Sequence, residues 1–238
     1  LGYIDIHTHL IPDVDDGSRG FEDSIRTIRL LNKFGIDTIV ATPHKRTGLF
    51  EFQRDKIIQN FQKLKERIAE EEIDTSLYLG CEYYYGPDLF EDISNKEVLT
   101  LGGSDYILVE FKSLRFSDQD RESLFRIFTS GYRIIVAHIE RHRYNAESMA
   151  SLDYLRDNSV LFQCDIMSLS GLWGEQVKLF MVELLKRGYV NIISTDVHCK
   201  EFEEDLLRKG FDTLKEIAGD DILEISMGEK IKKRLNLL

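Results

Sequence analysis

Seven short apolar runs recur along this chain, at residues 3–7, 38–42, 77–82, 106–111, 134–138, 160–165 and 191–195. They are rich in Ile, Val, Leu and Tyr and carry few charges before their last residues. Continuous runs of this kind suit strands buried on both faces, as in a parallel sheet. Residues 21–34, 55–71, 119–130, 177–187 and 201–217 read instead as amphipathic helices; the first places Ile25, Ile28, Leu31 and Phe34 on one side. Gly35, Gly131 and Gly188 stand where a left-handed residue would end three of these helices, each followed directly by an apolar stretch. Strand and helix alternating in this way favour an α/β barrel over an open doubly wound sheet. No Gly-x-Gly-x-x-Gly turn follows a strand and no P-loop occurs, which weighs against a nucleotide-binding sheet.

The chain has 238 residues, of which 42% are hydrophobic. Barrels of about 200–250 residues form one domain, and no linker, low-complexity tract or charge block divides residues 1–238. The expectation is a single domain. A formal charge of −11 disfavours nonspecific contact with nucleic acid or anionic membrane. An anionic substrate stays open, because a bound cation reverses the field inside one pocket. Cys81, Cys164 and Cys199 are odd in number and scattered, so neither a disulfide framework nor a thiolate zinc site is expected. Cys81 and Cys164 read as small core residues. With no apolar run of membrane-spanning length and no leader-like N-terminal pattern, the expected location is the cytoplasm.

Histidine placement carries the chemical signal. Of six histidines, His7, His44, His138 and His198 fall at or just past a strand's C-terminal end, and His9 follows His7 by two. That end of a parallel barrel carries the active site. Residues two apart on an extended strand point the same way, so His7 and His9 can address one ion. Asp196 and His198 repeat the spacing on the last run, which a barrel brings beside the first. Glu82 and Glu110 interrupt apolar strands, where an unpaired carboxylate costs several kcal/mol, and Asp13, Asp15 and Asp16 lie in the loop after the first strand. So many carboxylates in one pocket imply more than one divalent cation. Each residue alone has an ordinary structural reading, and Asp15-Asp16-Gly17 is also a common turn sequence.

These segments resemble the PHP (polymerase and histidinol phosphatase) superfamily, whose fold is a distorted seven-stranded α/β barrel, (β/α)7, holding three metals. The matching stretches are IDIHTHLIPDVDDGS, GIDTIVATPHKRTGLF, LGCEYYYGPDL, YILVEF, GYRIIVAHIERHRY and IISTDVH. Within it the chain is similar to bacterial manganese-dependent tyrosine-protein phosphatases of capsule and exopolysaccharide gene clusters. The resemblance implies a first metal on His7, His9, Glu82 and Asp196, and a second on Asp16, His44 and His198. A third would lie on Glu110 and His138, with Glu82 bridging to the first. Carboxylates at Asp16 and Glu110, where many superfamily members carry histidine, fit the tyrosine-phosphatase branch. Some relatives have a basic residue beyond the D-x-H pair that holds phosphate, and Lys200 is the only basic residue in that stretch here.

The expected activity is hydrolysis of phosphotyrosine, on a bacterial tyrosine kinase that regulates capsular or exopolysaccharide synthesis, with Mn²⁺ as the implied ion. Metal pairs activate water and hold phosphate oxygens without a cysteine nucleophile, and no C-x5-R motif is present. Arg141 is the expected catalytic clamp on phosphate, with a salt bridge to Glu140 as the structural alternative. Lys45 and Arg46 are further substrate-binding candidates or surface cations, and His142 is expected to be exposed. Two other functions stay open: a small-molecule phosphoesterase such as a histidinol-phosphate phosphatase, and a metal-stabilised docking protein without turnover. The oligomeric state is not set by these residues.

Overall fold

The computed structural model describes residues 2–114, 117–142, 146–201, 203–219 and 221–237, with side chains of 146–148 set aside. Its strands are β1 (Tyr3–Thr8), β2 (Ile36–Ala41), β3 (His44–Lys45), β4 (Ser76–Leu79), β5 (Glu82–Tyr84), β6 (Tyr106–Glu110), β7 (Arg133–Val136), β8 (Leu161–Asp165) and β9 (Ile192–Ser194). The helices are α1 (Phe21–Lys33), α2 (Arg54–Glu70), α3 (Pro87–Asn95), α4 (Asp118–Thr129), α5 (Ala146–Asp157), α6 (Glu175–Lys186), α7 (Glu203–Ala218), α8 (Asp221–Met227) and α9 (Glu229–Arg234). All strand pairing among the described residues is parallel.

Two sheets form, in the orders β1-β2-β4 and β3-β5-β6-β7-β8-β9. The third apolar run of the sequence is therefore split in two, and the second is followed, past a break, by the separate short strand β3. One break falls at Thr42-Pro43, where proline offers no N–H to a ladder, and the other at Gly80-Cys81. Hydrogen bonds from Gly80 N–H to the Ala41 carbonyl (2.8 Å) and from Glu82 N–H to the Pro43 carbonyl (3.1 Å) carry the pairing across both breaks. At the other side a parallel bridge joins Thr8 to Val197. Asp196 N–H donates to the His7 carbonyl and His9 N–H to the Val197 carbonyl, each at 2.9 Å. First and last strands thus meet at their C-terminal ends.

The apolar period explains the packing. Ile107 and Val109 of β6 enter one buried cluster with Ile134 and Val136 of β7. The intervening Tyr106 and Leu108 join Ile135, Ala137, Ile4 and Ile6 in a second cluster, completed by Ile231, Leu235 and Leu237 near the C-terminus. Helix α1 buries Ile25, Ile28 and Leu31, and Phe34 stacks on Phe211 of α7 at 5.1 Å. Gly35, Gly131 and Gly188 have φ of +80°, +90° and +71°, the left-handed returns their positions require. Helix α4 starts one residue before the expected 119, because Ser117 and Asp120 form a capping box. Helix α7 starts at Glu203, and Phe202 of the expected 201–217 segment lies outside the described residues. Helices α3, α5, α8 and α9 escape the periodicity reading, being short or weakly amphipathic. Cys81 and Cys164 are buried core thiols, as expected.

Candidate metal centre

The carboxyl ends of the strands converge on one cluster. His7 Nε2 lies 3.1 Å from Glu82 Oε2 and 3.2 Å from Asp196 Oδ1. His9 Nε2 lies 3.5 and 3.1 Å from the same two oxygens, and the two imidazole nitrogens are 3.3 Å apart. Donor atoms around a tetrahedral ion at about 2.0–2.2 Å are separated by roughly 3.3–3.6 Å, close to this set. Glu82 Oε2 and Asp196 Oδ1 are buried and accept no hydrogen bond. Two facing nitrogens and two orphaned carboxylate oxygens make a poor hydrogen-bond network. They make a good shell for a divalent cation.

Two further groups adjoin the first. Asp16 Oδ1 stands 3.6 Å from His44 Nε2 and 3.5 Å from His198 Nε2, with His9 within reach of the same point. His44, Glu82 and Glu110 form another group, and His138 Nε2 approaches Glu82 Oε1 at 2.9 Å. Glu82 touches all three groups. The structure therefore brings together all nine residues expected as ligands, and these groups could hold metal ions.

Local backbone aims these side chains. His138 (φ +32°) and Asp196 (φ +50°) occupy left-handed conformations that cost non-glycine residues about 1–3 kcal/mol, strain that clusters at functional sites. Gly17 folds the Asp16 loop onto His9: a Cβ there would stand 2.2 Å from the His9 carbonyl oxygen. Asp15 Oδ2 then meets His9 Nδ1 at 2.8 Å and accepts the His44 N–H at 3.1 Å. Gln163 Oε1 lies 3.3 Å from His7 Nδ1 and accepts the His138 N–H at 2.7 Å. Each fixes the rear nitrogen of an imidazole, the usual support behind a metal-binding histidine. Asp5 accepts from the Thr195 N–H and hydroxyl, tying β1 to the end of β9.

Electrostatics tell the same story. Burial alone would lower the pKa of His7, but the charges of Glu82 and Asp196 outweigh it and hold it at about 10. His44 and His198 rise to about 9 against the same burial, His44 through Glu82 and His198 through a bond to Asp16. Burial opposes ionisation of Glu82 too, yet His7 and His44 keep its pKa well below the usual range. In the metal-free protein protons on histidine do the work of cations.

The comparisons with known proteins fit this geometry. Residues 3–233 match the family described as capsular polysaccharide synthesis, CpsB/CapC. This chain belongs to the CpsB/CapC family. It is 30% identical over 221 residues to the tyrosine-protein phosphatase CpsB of Streptococcus pneumoniae, covering 91% of each chain. It is 29% identical over 195 residues to the tyrosine-protein phosphatase YwqE of Bacillus subtilis strain 168, covering 82% of this chain and 77% of YwqE. Crystallography of YwqE and S. pneumoniae CpsB, described as unique metal-dependent tyrosine phosphatases, supplies a fold with TM-score 0.86 at 26% identity, covering 98% of this chain and 94% of that one. The histidinol phosphate phosphatase of Lactococcus lactis shares the fold at TM-score 0.56 and 14% identity, covering 91% of this chain and 94% of that chain.

The remaining expected residues of this CpsB/CapC chain divide by their partners. Arg141 does not pair with Glu140: its Nη2 donates to Asp165 at 2.5 Å and Asp196 at 2.7 Å. Its guanidinium lies 4.2 Å from the Trp173 ring centroid. Glu140 is buried and accepts from the Asp165 N–H and the Ser168 hydroxyl. Lys45 is drawn to Asp92 at 2.7 Å and sits over Phe52. Arg46 stacks on Tyr84 and stays 3.6 Å from Glu110, and Lys200 donates to the Asp16 carbonyl at 2.7 Å. Arg46 and Lys200 thus border the cluster, whereas Lys45 is committed elsewhere. His142 is half-buried rather than exposed, and burial, with His138 and Arg141 nearby, pushes its pKa down to about 4.

Sequence reasoning noted Asp15 without giving it a role, and missed Gln163, Asp165 and Trp173. Gln163 had a legible signal, a polar residue inside the apolar run Leu161-Phe162-Gln163-Cys164.

Proposed function

We propose that this chain is a metal-dependent protein-tyrosine phosphatase acting on a phosphorylated bacterial tyrosine kinase of capsular or exopolysaccharide synthesis. The carrying observation is the convergence of His7, His9, Glu82 and Asp196 on one point, with buried carboxylate oxygens that face imidazole nitrogens and accept no hydrogen bond. Similarity to CpsB and YwqE, named tyrosine-protein phosphatases, supports the substrate class. The first ion would rest on His7, His9, Glu82 and Asp196, the second on Asp16, His44 and His198, and the third on Glu110 and His138 with Glu82 shared. Three Mn²⁺ ions fit the mixed imidazole and carboxylate donors, and no ligand group among the described residues includes a thiol.

When bound, such ions polarise phosphate oxygens and acidify water at neutral pH. The protein's own share is positioning. Asp15 and Gln163 hold His9 and His7 by their rear nitrogens. Arg141 braces Asp196 and is the residue we assign to phosphate, with Arg46 and Lys200 as further cations at the rim. Lys45, held by Asp92, keeps no such assignment. A phenol, with a pKa of about 10, leaves with less protonation than an alkoxide needs.

Counting β2 with β3 and β4 with β5 as single passages, and closing β9 on β1 through the Thr8–Val197 bridge, supports a distorted seven-stranded barrel spanning residues 1–238 as one domain. No helix among the described residues is long and apolar enough to cross a membrane. We assign the protein to the cytoplasm.

The test is turnover of a phosphotyrosine peptide and of histidinol phosphate side by side. Metal-stripped protein is assayed with and without Mn²⁺, and His138→Ala serves as control. Mn²⁺-dependent cleavage of the peptide, lost in the variant, is the expected result. Preference for histidinol phosphate would move the protein to the small-molecule branch. Metal binding without turnover of either would make it a docking protein.

A further inference from the structure

A metal cluster grips phosphate whatever alcohol esterifies it, so preference for one ester over another must come from groups that meet the leaving alcohol. Among the described residues, the Phe50 ring is the carbocycle stacked on an expected metal ligand: it lies 5.0 Å from the His44 imidazole, with an angle of 2° between the planes. The loop that carries it is built rather than loose. Leu49 and Phe50 N–H groups both donate to the Arg46 carbonyl, at 3.2 and 3.1 Å, and Thr47 N–H donates to Asp88 at 3.0 Å. The same loop holds Arg46 beside Glu110.

Beyond Phe50 opens a cavity of about 540 Å³, lined by Lys45, Leu49, Phe52 and Glu91 among others. Leu49 exposes 60% of its surface there, a large apolar side chain that the fold does not use. Two other aromatic rings near the cluster already hold guanidinium groups, Tyr84 that of Arg46 and Trp173 that of Arg141. Phe50 packs one face on His44 and is only half-buried.

We propose that Phe50, whose ring borders the cluster through His44, is the specificity residue that meets the phenol ring of phosphotyrosine when its phosphate sits at the metal cluster. This rests on the phosphotyrosine reading above. Aromatic contacts of this type discriminate by about three- to tenfold. A phosphoserine has no ring to place there and gains nothing from Phe50.

The test measures binding, so that it does not depend on turnover. Phenylphosphonate and methylphosphonate are titrated by calorimetry into the Mn²⁺-loaded wild type, Phe50→Ala and Phe50→Tyr, with bound manganese measured in each. The wild type and Phe50→Tyr should favour the phenyl compound. Phe50→Ala should lose about three- to tenfold in affinity for it, keep its affinity for methylphosphonate and retain its metal. Equal weakening toward both compounds with loss of manganese would show that Phe50 only props His44, and would overturn the proposal. So would unchanged affinities in Phe50→Ala. Failure of the phosphatase reading is a separate result: wild-type protein that discriminates the two phosphonates but cleaves no phosphotyrosine peptide.

Discussion

Glu82 illustrates how much one residue decides. Its carboxylate is fully buried, faces His7, His9, His44 and His138, and leaves one oxygen without a hydrogen bond. Replacing it with glutamine keeps the shape but removes the charge that four imidazoles share. Glu82→Gln should therefore lose metal from more than one group, and metal analysis beside peptide turnover would show both falling together. Asp15 acts one step further out, through His9 Nδ1. Asp15→Asn should weaken metal affinity by about 10- to 100-fold, the usual cost of losing the partner behind a ligating histidine. Titration of Mn²⁺ into the apoprotein checks this, and an unchanged affinity would remove Asp15 from the site's support.

Loops and caps can be separated from the chemistry at the next scale. The Asp15-Asp16-Gly17 turn is held against His9 so closely that a Cβ at Gly17 would also stand 2.5 Å from the His9 Cβ. Gly17→Ala should displace Asp15 and Asp16 together and reduce metal affinity, while secondary structure measured by circular dichroism stays intact. Helix α4 provides the contrast. Its capping box, Ser117 with Asp120, is exposed and belongs to no ligand group. Ser117→Ala should cost about 1 kcal/mol in urea unfolding and leave turnover at the wild-type level. Loss of activity there would mean that α4 is coupled to the site.

Taken as a whole molecule, the protein couples folding, protons and metal. His7 at about 10, and His44 and His198 at about 9, lie above the ordinary histidine value of 6.5. A raised pKa gives stability that is complete below about pH 6.5 and disappears as pH climbs through the folded-state values. Metal-free protein should therefore become less stable from pH 6.5 to 8.5. Metal must displace those protons, so its binding strengthens over the same window. The increase in Tm on adding saturating Mn²⁺ should be larger at pH 8.5 than at 6.5 by differential scanning calorimetry. The lowered pKa of Glu82 acts only at acid pH and does not oppose the trend. An increment that shrank with pH would mean these imidazoles are already neutral.

Local residues were enough to mark most strands, the main helices and the ligand types. The apolar runs, the glycine returns, and the pairs His7–His9 and Asp196–His198 depend only on neighbours in the chain, where period and residue type carry the information. Other features depend on distant segments. The breaks at Pro43 and Gly80, the bridge from Thr8 to Val197, and the convergence of Glu82 on four histidines exist only once the strands are paired. Gln163 sits 156 residues from His7 and becomes its partner through that pairing alone. Arg141 shows the same limit: beside Glu140 in sequence, it binds Asp165 and Asp196 instead, because a helical turn of backbone sends adjacent side chains apart. Residue type set which atoms could bind a metal; the strand order decided which of them share a point in space.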